Sequence, residues 1–180
     1  MMIMTFILAF LIGFIRGGSL RPFADLKLQA LWLVLAAFVL QALMRIWHLG
    51  GLAVGALYGA TYVMLAVFIV FNRARWELLL LGIGMLSNAA VIWANGGKMP
   101  VSVEVYARAT GVVLTNGIDD PTHIVLNAST RLPWLADRWA LAHPFPLPAV
   151  VSAGDVLVSL GLFLLVQHVM LQGKGRRPRP

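Results

Sequence analysis

Five long apolar stretches set the terms on which this chain folds. They occupy residues 1–20, 28–44, 51–71, 76–94 and 150–171, with polar or Gly/Pro-rich segments between them. About 20 helical residues rising 1.5 Å each cross a hydrocarbon core about 30 Å thick. The last stretch is long enough to span with slight tilt. The first reaches that length only if Arg16 snorkels to the interface and the helix runs on to Leu20. No Lys or Arg precedes it and no small-residue cleavage site follows, so it reads as a true first helix rather than a secretory signal. Only 12% of the residues are charged, against about a quarter in a water-soluble domain. The deficit is explained if lipid covers most of the surface. The expected fold is therefore all-α, a single polytopic membrane bundle of five transmembrane helices with a structured extracytoplasmic segment over residues 95–149 and a cytoplasmic tail over 172–180.

The distribution of cations orients the bundle. The net charge is +7, which in a soluble protein would suggest nucleic acid, but the basic residues cluster between apolar stretches, where they act as topology signals and meet lipid headgroups. With the N-terminus outside, nine cations fall on the inner side, among them Arg16, Arg73, Arg75 and the basic tail. Five fall outside, four of them in the long 95–149 segment, where Glu104, Asp119, Asp120 and Asp137 balance them. The bias puts the C-terminus in the cytoplasm. With no cysteine in the chain, disulfides, thiolate zinc sites and thiol nucleophiles are excluded.

The 95–149 segment is too apolar for a linker. Val101, Val103, Val105, Tyr106, Ile124, Trp134 and Trp139 need cover from the bundle or from the headgroup region. Residues 102–109 predict a short helix with Ser102 as N-cap and Gly111 beyond its end, 122–126 reads as extended, and 133–139 predicts a further helical turn or two.

Asn95-Gly96-Gly97-Lys98-Met99-Pro100, the later Thr122-His123 and Thr130-Arg131-Leu132-Pro133, and Ser152-Ala153-Gly154-Asp155 at the opening of the last helix carry a resemblance. In this order, with Arg16-Gly17-Gly18 after the first helix, they resemble a bacterial family of small integral membrane proteins catalogued as a domain of unknown function. The resemblance covers nearly the whole chain and implies a bacterial cytoplasmic membrane protein. It implies no activity. The last helix, with Asp155 followed by Gly161, is also similar to that of the lipoprotein signal peptidases, which are membrane aspartic proteases. The Asn that precedes the acid in that family is missing here, and Asn95-Gly96-Gly97 follows the fourth helix rather than the first.

The candidate residues carry two readings each. Asp155 is an acid inside an apolar helix, a position that is costly and often functional. Ser152 three residues before it also makes a capping box at a helix N-terminus. Asp137 is the carboxylate that would join Asp155 in an aspartic dyad. Asn95, Gly96 and Gly97 end the fourth helix as a turn, or form a backbone nest for an anion. His123 and Arg131 complete the polar set at the outer mouth. His123, His143, Asp119, Asp120 and Asp137 have no H-x-x-x-H or H-E-x-x-H spacing, so no metal is expected and no cofactor is implied. Gly51, Gly55 and Gly59 predict a helix-packing seam. His168 and Gln167 are expected at the inner interface, and Ser87 and Asn88 to hydrogen-bond across the bundle.

The functional expectation is a non-enzymatic membrane protein, an accessory subunit or a binder of a lipid or small amphiphile at the outer face. Its partners are membrane lipids and a protein partner or a second copy, not nucleic acid. The rival is an interfacial aspartate-dependent hydrolase using Asp155 and Asp137. A small transporter would show inverted repeats and broken helices, and none is visible.

Overall fold

The computed structural model describes residues 1–46, 52–111, 122–142, 145 and 148–172. In the described residues the chain is mostly helical. Seven helices occur: α1 (Met2–Ile15), α2 (Arg21–Ala24), α3 (Leu31–Ile46), α4 (Leu52–Phe71), α5 (Trp76–Ala94), α6 (Val103–Thr110) and α7 (Ala153–Leu171). Two of them, α5 and α7, are long and apolar enough to cross a membrane, and Met2–Ile15, Leu31–Met44 and Gly59–Phe71 are shorter apolar helices. The core helix of a water-soluble protein is mostly buried. Here only 28% of the apolar window of α5 and 44% of that of α7 is buried. Large apolar side chains such as Ile15, Trp32, Phe38, Val70 and Trp93 are exposed instead.

The chain packs as two compact units. One comprises Met2–Gly82 with Ser159–Pro180. Within it α3 packs along α4, and a buried cluster of Leu33, Phe68 and Leu78 is flanked by Leu28, Val34 and Leu165. Polar side chains hold the remaining joints. Gln167, buried on α7, donates to the Ala9 carbonyl at 2.5 Å and accepts from Arg16 at 2.9 Å. Asn72, buried at the end of α4, exchanges hydrogen bonds with both backbone groups of Gln29, at 2.9 and 2.8 Å. Gln41 donates to Thr61, joining α3 to α4 at 2.9 Å. Each such bond satisfies a buried polar group that would otherwise stay unpaired at a cost. At Gly161 a Cβ would lie 2.7 Å from the Glu77 carbonyl oxygen, so the two helices meet backbone to backbone there.

The second unit is Ile83–Val158, with Met1. It contains the outer segment, which departs from an all-helical expectation. Four short strands occur in it: β1 (Met99–Val101), β2 (His123–Val125), β3 (Trp139–Leu141) and β4 (Ala149–Val151). β1 and β2 pair in parallel, Met99 opposite His123, and β3 and β4 pair antiparallel, Trp139 opposite Val151. The extended reading of 122–126 finds its strand in β2. Its partner lies more than twenty residues away, and such non-local pairing leaves no periodic mark in the sequence. The helix expected after Ser102 is α6, with the Ser102 hydroxyl accepting from Val105 N at 3.1 Å and Gly111 in the left-handed region beyond its end. The turn at 133–139 is shorter than expected. Only Pro133–Leu135 is helical, a single 3-10 turn, because Ala136 is already extended and Asp137 bridges β1.

The glycine seam needs restating. Gly51 lies outside the described residues, as do His143, Asp119 and Asp120. Gly59 is buried. Close helix approach is visible at Gly84 and Gly154. A Cβ on Gly84 would lie 2.7 Å from Val158 N, and one on Gly154 would overlap Asn88.

Candidate functional site

The polar residues of the second unit form three groupings, one of them at the start of α7. β4 runs directly into Ser152, which is fully buried and caps the helix. The Ser152 hydroxyl accepts from Asp155 N at 3.0 Å, and the Asp155 carboxylate reaches back to accept from Ser152 N at 3.0 Å and from the Ser152 hydroxyl at 2.9 Å. This is the reciprocal capping box that the spacing predicts. Asn88 on α5 extends it, its amide donating to Asp155 Oδ1 at 2.9 Å while its carbonyl oxygen lies 2.8 Å from the Ser152 hydroxyl and shares that group's single proton with Asp155 Oδ2. Both Asp155 oxygens are thereby engaged, next to the positive end of the helix. Gly154 leaves room for the Asn88 side chain, which any Cβ there would displace.

Asn95, Gly96 and Gly97 form a turn. Gly96 and Gly97 have φ of +72° and +88°, and Gly97 N donates to the Ile92 carbonyl at 2.9 Å, six-to-one closure of a helix end. A Cβ on either would meet open space, so only the backbone conformation calls for glycine. Asn95 clamps the outer segment to this helix end. Its Oδ1 accepts from Arg131 N at 2.9 Å and its amide donates to the Arg131 carbonyl at 2.8 Å. Asn95 and Arg131 are thus brought together, but through the Arg131 backbone. The arginine is exposed.

β1 brings together the other pair. It pairs with β2, carrying His123, and Val101 also bridges Asp137, whose N donates to the Pro100 carbonyl at 3.0 Å. Across β1, His123 Nε2 lies 3.4 Å from Asp137 Oδ2. The other ring nitrogen is 2.9 Å from the Thr122 hydroxyl, and the ring stacks edge-on against Tyr106. Asp137 is only 4% exposed. Burial pushes its carboxyl above the ordinary value of 3.8 and the charge of Asp155 adds to the rise, while the His123 hydrogen bond and charge pull it back. Among the described residues, no hydrogen bond joins the Asp137 and Asp155 carboxylates.

Asp137 faces a cleft of about 230 Å³ lined also by Ser102, Val105, Leu126 and Arg138. Arg138 borders a second, more open depression of about 400 Å³ with the exposed indoles of Trp134 and Trp139. The Arg138 guanidinium makes one long hydrogen bond, 3.4 Å to the Pro133 carbonyl. Among the described residues no three His, Asp or Glu side chains gather as a metal site would need.

One pair escaped the sequence reading. Glu77, in the first turn of α5, is 1% exposed, and its Oε1 contacts Nδ1 of His168 in the last turn of α7. Its Oε2 is buried without a hydrogen-bond partner. The signal was available: Glu77 is an acid inside an apolar stretch, as Asp155 is, and the two deserved the same scrutiny.

The fold and these sites define a small helical protein with membrane-length apolar helices and a strand-braced polar cap at the start of the last one. The chain belongs to DUF5317, a family of unknown function, which matches residues 25–167. An uncharacterized protein of Thermotoga maritima is 30% identical over 175 residues, spanning 91% of this chain and 89% of that protein. No solved structure matches the chain.

Proposed function

We propose that this is a five-span protein of the bacterial cytoplasmic membrane, N-terminus outside and tail inside, that binds a lipid or small amphiphile at its outer face without catalysing a reaction. The observation that carries the reading is the position of Arg138. It borders both a small polar cleft containing Asp137 and an open depression walled by Trp134 and Trp139. A charged group beside exposed indoles suits a molecule with a polar head and an apolar tail. The hydrolase reading has less support. The Asp155 oxygens are committed to Ser152 and Asn88, so the acid serves the helix cap.

Tryptophan fluorescence in vesicles carrying brominated phospholipid tests binding, with Trp32, Trp47, Trp76 and Trp93 replaced by phenylalanine so that Trp134 and Trp139 alone report. Arg138→Ala in this background is expected to weaken the quenching. Equal quenching with and without Arg138 would refute the binding site. Reporter fusions at Asn116 and after Lys174 test the orientation, with an external signal expected from the first and an internal signal from the second.

A further inference from the structure

The binding cleft holds charges of both signs at neighbouring positions, and this narrows the ligand. Asp137 and Arg138 follow each other along an extended segment, so their side chains leave the backbone in opposite directions, yet both line the same cleft. Asp137 lines the cleft with a carboxylate whose Oδ2 lies 3.4 Å from His123 Nε2. Arg138 keeps most of its five N–H donors uncommitted, its one side-chain bond being the long one to Pro133. The Ser102 hydroxyl accepts from Val105 N in the helix cap and retains its own proton to donate. One acceptor with negative charge thus sits beside a cationic fork and a hydroxyl donor, in about 230 Å³.

Three head chemistries can be compared with that set. An anionic head with hydroxyls would use Arg138 and Ser102 but would face the Asp137 carboxylate with no cation. A quaternary ammonium carries charge but no N–H to donate. A primary ammonium linked to a phosphodiester answers both sides, donating to the Asp137 carboxylate while the phosphate oxygens accept from Arg138. Burial holds the Asp137 carboxyl above its ordinary value, and an ammonium beside it would favour the charged form.

We propose that the cleft is a site for the phosphoethanolamine head of a membrane lipid, with Asp137 reading the primary amine and Arg138 the phosphate. This rests on the amphiphile-binding reading and names its ligand class. The lipid, rather than a free headgroup, is the occupant because Trp134 and Trp139 flank Arg138 with exposed indoles that offer acyl chains a surface.

The test uses the full chain in phosphatidylcholine vesicles doped with a brominated lipid that carries an ethanolamine, choline or glycerol head. Quenching is expected to favour the ethanolamine head by about tenfold in apparent affinity, the worth of one charge-assisted hydrogen bond. Asp137→Asn should erase the preference over choline while keeping residual binding that Arg138→Ala removes. If Asp137→Asn does not fold, the wild-type comparison of heads decides the matter alone. A glycerol head that binds as well as ethanolamine and still depends on Arg138 would overturn the amine assignment while leaving the amphiphile reading standing. No dependence on head or on Arg138 would overturn both. Competition by soluble glycerophosphoethanolamine as effective as that of the lipid would overturn the membrane source.

Discussion

Replacing His168 with alanine probes the least expected contact in the molecule. The Glu77 carboxylate is 1% exposed, meets His168 through Oε1, and has no partner for Oε2. Without the imidazole, both oxygens are left buried with no hydrogen-bond partner among the described residues. Removing one partner of a fully buried pair costs about 3–5 kcal/mol. The His168 side chain is 49% exposed, so solvent screens part of the contact and the loss falls toward about 2–3 kcal/mol. The converse change is asymmetric. Glu77→Gln discards the charge and leaves a half-exposed imidazole that water or headgroups can satisfy, at a cost of about 1 kcal/mol. The double variant should therefore be more stable than His168→Ala alone, with a coupling of about 1–2 kcal/mol. Unfolding of the four proteins by denaturing detergent in mixed micelles measures the cycle. A His168→Ala loss under about 0.5 kcal/mol with no recovery in the double variant would refute the pairing.

Other predictions follow from single contacts. Gly161→Ala places a Cβ 2.7 Å from the Glu77 carbonyl oxygen, and since backbone must move, unfolding should show about 1–3 kcal/mol of destabilisation. Asp155→Ala removes the capping box and strands Asn88, a cost of about 1–2 kcal/mol that Asp155→Asn should partly restore; equal stability of wild type and Asp155→Ala would contradict the cap. Asp137 is raised above 3.8 in the folded protein, so its ionisation opposes folding. Its stabilising contribution is full below the unfolded value and is lost as pH rises through the folded one. The melting temperature of wild type relative to Asp137→Asn should accordingly increase as pH falls through that window, and a flat difference would remove the burial effect.

Much of the local structure was legible from adjacent residues. Ser152 and Asp155 stand three apart at the head of an apolar run, and the capping box forms at that spacing. Ser102 and Gly111 bracket α6, and Gly96 and Gly97 end α5 in the left-handed region. These features need only a few neighbouring residues, because caps and turns are satisfied by backbone groups within one helical turn. The long-range partners were not legible in the same way. Asn88 was expected to bond across the bundle, but its meeting with the Ser152–Asp155 cap depends on how two helices face each other.

What the sequence determined by itself is the apolar character of its helices and the places where several of them end, since both are set by runs of residue type and by a handful of capping positions. Only the tertiary structure decided which charges meet. His123 reaches Asp137 because β1 is paired to the strand of one and bridged to the other. Glu77 finds His168 because Gly161 lets two helices close to backbone contact. Both meetings join residues that are distant along the chain, and strand register and helix rotation, which control them, are properties of the packed whole.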